Sequence, residues 1–170
     1  MSESLETAYS DQITLELESS IAYLQLAAWF DGENLPGMSR WMALQSEEER
    51  GHALRFLRFA LDRGNAVRIL EMTAPTAKFT DPAAAFEHAL EHERMVSAAI
   101  RGLYELASKE NDFESFPLLQ AFLTEQVEEE ATAQEILGRL RRIGADGSAL
   151  LLLDQELGGR PGQVEAGPTL

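Results

Sequence analysis

The 170-residue chain contains no cysteine. That absence excludes thiolate zinc sites, rubredoxin-type iron and disulfide staples, and it fits a reducing compartment. Basic residues are scarce too: 14 Lys and Arg stand against 29 Asp and Glu, a net charge of −15. Nucleic acid and anionic membranes both need a positive footprint, so neither is an expected partner. No uninterrupted apolar run approaches the length of a membrane span. Met1-Ser2-Glu3-Ser4 is acidic and lacks the basic and apolar regions of a signal peptide, which makes the cytoplasm the expected address. Proline and glycine mostly punctuate segments and fill the C-terminal end.

What remains is helical pattern. The length suits one domain, residues 1–170, with a sizeable core. A first helix is expected from about Ser10 to Phe30, with Ile13, Leu17, Ile21 and Leu24 as its apolar stripe. Asp31 to Pro36 turns the chain. A second helix runs from Pro36 to about Arg63, its stripe continued by Leu54, Leu57 and Leu61, and Gly64-Asn65 closes it. Asp81-Pro82 reads as an N-cap and first helical residue, opening a third helix to about Glu110. A fourth occupies about Phe113 to Ile143, with Pro117 in or near its first turn. The bundle thus spans about residues 8–143. A short helix at about 148–157 carries Leu150, Leu151, Leu152, Leu153 and Leu157, too apolar for a free surface helix and expected to be buried against other subunits. Residues 158–170 read as a mobile tail.

Residues 65–80 show no sustained helical period. Antiparallel neighbours need only a short connection, whereas a parallel neighbour requires a return of roughly 40 Å, which sixteen extended residues can cover. The expectation is an all-α four-helix bundle with one long crossover between helices two and three. An up-down-up-down bundle with a floppy loop is the alternative.

Each long helix offers a carboxylate, and helix two offers Glu49-x-x-His52, a carboxylate and an imidazole one turn apart. Counted along their helices at 1.5 Å per residue, Glu16 and Glu49 lie ~20 Å from the first turn, Glu93 ~17 Å from its helix start and Glu129 ~24 Å from the opposite end of a ~42 Å bundle. All four fall in one layer near mid-height, where unpaired carboxylates are costly and repel one another. Metal coordination removes that objection, and hard carboxylates with a single imidazole suit iron better than a closed zinc site. Around this centre, Tyr23 lies two turns along from Glu16 and is either near the site or an ordinary core tyrosine. Gln126, in Gln126-x-x-Glu129, either touches a ligand or faces water. Glu48, Glu125 and Glu128 form either an outer acidic site passing iron to or from the pair or a plain solvated face. His88 and His92 are expected at the surface.

With those residues in place the chain resembles bacterial non-haem ferritins, especially the actinobacterial kind, over about residues 8–157. The motifs are Asp11-Gln12-Ile13 leading to Glu16, Trp29-Phe30-Asp31, Glu48-Glu49-Arg50-Gly51-His52-Ala53, Glu91-His92-Glu93-Arg94 and Glu125-Gln126-Val127-Glu128-Glu129. The resemblance implies that Glu16, Glu49 and His52 hold a first iron, that Glu49 bridges, and that Glu93 and Glu129 complete a second. It places Gln126 beside the pair and matches Tyr23 to a site-proximal tyrosine. It further implies ferrous iron oxidation by dioxygen or hydrogen peroxide and ferric mineral stored in a homo-oligomeric cage of 24 subunits, with the short helix near the fourfold axes. Many relatives have Trp where this chain has Ala121. Haem-binding relatives carry Met directly after the bridging Glu and a second Glu-x-x-His; Arg50 and Gln126-Val127-Glu128-Glu129 stand there instead, so haem is not expected. A di-iron peroxidase of the rubrerythrin type, without mineral, is the alternative function. A metal-free helical interaction module would leave the mid-height acids unexplained.

Overall fold

The computed structural model describes residues 1–161; residues 162–170, most of the expected tail, lie outside the described residues. The regular structure of the described residues is all helical: α1 (Glu3–Gly32), α2 (Pro36–Asp62), α3 (Pro82–Glu110), a 3₁₀ turn (Phe113–Ser115), α4 (Phe116–Ile143) and α5 (Gly147–Gly158). Local chemistry sets the ends. The Ser2 hydroxyl accepts from Leu5 N at 3.1 Å, so α1 starts seven residues before the expected Ser10, with Glu3 and Glu6 favourably placed in its first turn. Asp81 accepts from Ala84 N at 2.8 Å ahead of Pro82, as its sequence signature predicts. Asn111, with φ 59°, ends α3 in the left-handed region that asparagine tolerates.

Side-chain pairs fix the topology. Tyr9 of α1 stacks on Phe59 of α2, whereas Ser20 meets Ser46. Phe30 meets Phe86 while Ser19 reaches His92, so α1 is antiparallel to both α2 and α3. Arg55 binds Glu125 and Gln45 binds Glu129, which makes α4 antiparallel to α2 as well. Helices α2 and α3 are therefore parallel, and residues 63–81 return the chain along the bundle.

That crossover is stitched to α1. Backbone N–H groups of Ala66, Arg68, Leu70 and Thr73 donate to Glu6, Ser10, Thr14 and Glu18, at 3.3, 3.1, 3.0 and 2.6 Å. The four acceptors are spaced by four along one face of α1, and they satisfy backbone groups that no regular structure serves. This explains a correction. The expected stripe of Ile13, Leu17, Ile21 and Leu24 is only partly the core face: Ile13 is buried, whereas Ile21 and Leu24 are 40% and 58% exposed. The buried face instead holds Leu5, Tyr9, Ile13, Glu16, Tyr23, Leu26, Ala27 and Phe30. Because α1 packs on α2, α3 and the crossover, several of its faces carry apolar residues. On α2 the core likewise runs through Met38, Trp41, Met42, Ala53, Phe56 and Ala60; Leu61 is exposed.

Two apolar clusters fill the bundle. One surrounds Phe30, Trp41, Phe86 and Leu137; the other surrounds Tyr9, Phe56, Ile100 and Phe122. Between them lies a polar layer.

Helix α5 also departs from expectation. Leu153 and Leu157 are buried in the first apolar cluster of their own chain, while Leu151 and Leu152 are 60% and 68% exposed. The bundle does have a place for part of this helix, because α2 begins without a side-chain cap of its own. Asp154 supplies it, accepting from Gly37 N at 3.1 Å and Met38 N at 2.7 Å. Gly37 is needed there, since a methyl group would run into the Asp154 carbonyl. Beyond α5, the first residues of the expected mobile tail are docked: Arg160 lies over the Trp41 ring, 5.2 Å from its centroid. Among the described residues no helix is long and apolar enough to cross a membrane.

Candidate metal centre

The polar layer is built from the mid-points of the four long helices. Glu16 and Glu93 are 0% and 1% exposed, and Glu49 and His52 are 1% and 3% exposed. Glu16, Glu49 and His52 each present a ligand atom within 4.8 Å of the others. Four of their atoms, Glu16 Oε2, both Glu49 oxygens and His52 Nδ1, have no hydrogen-bond partner among the described residues. Buried polar atoms are otherwise paired almost without exception, so such a convergence calls for a cation. The His52 ring stands edge-on to Phe122, 5.1 Å between centroids, with Nδ1 turned toward Glu49 Oε2 at 3.5 Å.

The remaining mid-height residues share the layer but already have partners. Tyr23 O–H donates to Glu93 Oε1. Gln126 Nε2 donates to Glu93 Oε2 at 3.1 Å and to Ser97 Oγ at 3.3 Å. Tyr23 is a core residue whose hydroxyl also reaches Glu93, and Gln126 is buried against Glu93 rather than facing water. Glu129, partly buried, accepts from Gln45 Nε2 at 3.0 Å.

Burial and crowding shift these acids upward. Glu16 and Glu49 are raised well above the ordinary carboxylate range, first by desolvation and then by neighbouring carboxylates, Glu49 for Glu16 and Glu93 for Glu49. Glu93 is raised by burial against the opposing hydrogen bonds of Tyr23 and Gln126. Glu129 is pushed up to about 7 by burial and by Glu48 and Glu93. A divalent cation would reverse these shifts, binding with release of protons.

The outer acids stand differently. Glu125 is held by Arg55 Nη1 at 3.0 and 2.9 Å, and the Arg55 guanidinium lies 4.2 Å from the centroid of Phe122. Glu48 accepts from Arg160 Nη2 at 3.0 Å. Glu128 is exposed. Ala121 is exposed too, and the ring beside His52 belongs to its neighbour Phe122. His88 and His92 are half-buried rather than at the surface. His92 Nε2 lies 2.7 Å from Ser19 Oγ, His88 packs on Phe79, and burial lowers the His92 imidazole. His92 thus faces α1 and His88 the crossover.

Sequence reasoning missed Gln12 and Gln45, both buried, which bind Glu16 at 2.7 Å and Glu129 at 3.0 Å. A signal was present: each lies one turn before a mid-height Glu, Gln12 before Glu16 and Gln45 before Glu49.

Fold and site together define a ferritin-like bundle: residues 7–143 match the model of the ferritin-like domain, and the chain belongs to that family. Its curated relatives include bacterial non-haem ferritins. That of Bacteroides fragilis (strain 638R) is 37% identical over 160 residues, covering 94% of this chain and 99% of the relative. That of Staphylococcus aureus (strain MRSA252) is 34% identical, covering 94% and 96%. Among solved structures, the open-pore ferritin of the archaeon Archaeoglobus fulgidus is 42% identical and superposes with a TM-score of 0.93, over 95% of this chain and 99% of its own.

Proposed function

We propose that this chain is the subunit of an iron-storing ferritin that oxidises ferrous iron at a dinuclear centre and keeps the ferric product as mineral inside a cage of 24 subunits. The observation that carries the reading is the cluster of Glu16, Glu49 and His52, buried, converging within 4.8 Å and short of partners. In this reading Glu16, Glu49 and His52 take one ferrous ion and Glu49, Glu93 and Glu129 the other, with Glu49 bridging. Two ferrous ions give one electron each, so a bridged pair can reduce dioxygen or hydrogen peroxide by two electrons in one encounter. Tyr23 and Gln126 hold Glu93 in place until the second ion arrives. Protons leave the raised carboxylates as iron binds.

The cage is supported by the relatives and by the exposed apolar residues Leu151 and Leu152 on α5, which a solitary bundle would leave in water. Aerobic loading with ferrous iron, followed by sizing and iron counting, tests the proposal. Particles some twentyfold heavier than the 18.8 kDa subunit and carrying far more iron than two per subunit are expected. A small assembly holding about two irons per subunit would favour the rubrerythrin-type peroxidase, and no bound iron would overturn both.

A further inference from the structure

The C-terminal segment after α5 places the Arg160 guanidinium beside residues that adjoin the metal centre. Arg160 donates to Gln45 Oε1 and to Glu48 Oε2, the latter at 3.0 Å, and its guanidinium lies 5.2 Å from the centroid of the Trp41 ring. The ion pair is largely sheltered, with Arg160 and Glu48 side chains 23% and 15% exposed. Gln45 is fully buried, and its other end donates to Glu129 Oε2 at 3.0 Å. One amide thus links the guanidinium to a carboxylate of the centre. The amide orientation is dictated from both sides, since only its oxygen can face Arg160 and only its nitrogen can face the carboxylate.

Resting on the reading of the centre given above, we propose that Arg160 is a positioning residue: a built-in counter-cation for Glu48 and, through Gln45, Glu129. It must leave before a metal ion can use Glu48. The planar guanidinium suits this role. It donates to an amide and a carboxylate at once, and it stacks on an aromatic face while doing so. A metal ion at Glu48 would meet an arginine already in place, so weakly held cations are turned away unless the inner centre has drawn them on. Release of Arg160 from Trp41 is then the visible mark of an outer cation.

The test uses the full chain, cleared of metal, with Zn²⁺ as the probe because it neither oxidises nor carries unpaired electrons that quench fluorescence. A Trp29→Phe background leaves Trp41 as the single indole, since the chain has two Trp. Titration calorimetry should show a tight phase from the inner cluster and a weaker outer phase. Trp41 emission should change only with the outer phase. In Arg160→Gln the outer phase should tighten on the order of tenfold, as expected for removing a neighbouring positive charge from a sheltered carboxylate, and the Trp41 response to Zn²⁺ should disappear. Glu48→Gln should shift Trp41 emission before any metal is added and abolish the outer phase. It serves as the second arm if Arg160→Gln folds poorly. Arg160→Lys should restore most of the outer-phase weakness but not the stacking signal.

A merely structural strap would lower melting temperature in Arg160→Gln and leave both zinc phases unchanged; that result overturns the proposal. Unchanged Trp41 emission in Glu48→Gln would do so as well. Loss of the tight phase in the parent protein would instead count against the inner centre, so the two failures are distinguishable.

Discussion

Two sets of carboxylates in the middle of the bundle have opposite needs. Glu16 and Glu49 are buried beside a histidine, with oxygens that find no hydrogen-bond partner among the described residues, and burial and neighbouring carboxylates raise their affinity for protons. Glu48 and Glu125 lie nearer to solvent and each is met by an arginine, Arg160 or Arg55. The outer set is complete without metal, whereas the inner set is a deficit that a cation would fill. Acidic character alone does not make a metal site; what matters is which acids lack a resident positive charge.

The largest expected effect comes from destroying the inner deficit. Glu49→Ala should cut the initial rate of ferrous oxidation, followed by stopped-flow absorbance, by more than the 10–100-fold typical of outer-shell partners. The metal-free variant should also gain stability relative to the parent as pH rises. The Glu49 affinity for protons is raised on folding, so ionising it opposes folding, fully so above the raised value and not at all below the ordinary carboxylate range. Chemical denaturation at pH 5 and pH 8 reads this directly, and a variant that oxidises iron at the parent rate would refute the bridge.

Truncation after Gly147 probes how far the outer set depends on remote segments. It removes the Asp154 cap of α2, the burial of Leu153 and Leu157, and Arg160. The loss should be on the order of 5 kcal/mol, about 1 for the cap and about 2 for each leucine, with weakened assembly on a sizing column. Tight Zn²⁺ binding by whatever fraction stays folded should survive, because the inner ligands all come from the long helices. A truncation with unchanged melting temperature and stable mineral-filled cages would show that α5 matters neither to its own bundle nor to assembly.

A narrower comparison sets His52→Ala against Glu128→Ala. The first removes an inner ligand atom and should slow the first turnover at least about tenfold; the second changes an exposed residue and should alter later turnovers only, by a few fold. Equal first-turnover rates in the two variants would erase the division between inner and outer acids.

The smallest effect sharpens the contrast of sign. At the far end of the bundle Asp112 is held by Arg63 and by the Ser115 hydroxyl, itself the acceptor of the Tyr9 O–H at 2.9 Å. The Arg63 guanidinium keeps the Asp112 carboxyl below the usual range. Its contribution is therefore present above the ordinary Asp value and is lost as pH falls through the depressed one, opposite to Glu49. Asp112→Asn should cost about 1–2 kcal/mol at pH 7 and progressively less below pH 4, measured by urea denaturation. A cost that does not shrink in acid would mean the charge is not what Arg63 recognises.

Much of this was legible in the sequence because helices convert residue number into height. Counting at 1.5 Å per residue put Glu16, Glu49, Glu93 and Glu129 in one layer, and the i, i+3 spacing put His52 beside Glu49. Asp81-Pro82 and Leu35-Pro36 marked helix starts that the structure keeps, because capping and proline act locally. The length of the 65–80 segment called for a crossover since only an extended chain can span the bundle.

Rotation about a helix axis was harder to read. On α1 the residues at 13, 17, 21 and 24 look like one stripe, yet three different neighbours claim the surface of that helix and only packing decides which face is core. Leu153 and Leu157 could not be assigned to their own bundle, because nothing local indicates that Asp154 will meet the uncapped start of α2 over a hundred residues earlier. For the same reason no pattern in the sequence could pair Arg160 with Glu48 or Arg55 with Glu125. The chain alone determined which residues exist at which height; the tertiary structure decided which acids receive an arginine and which are left wanting a metal, since ion pairing depends on distances in space between segments remote in sequence.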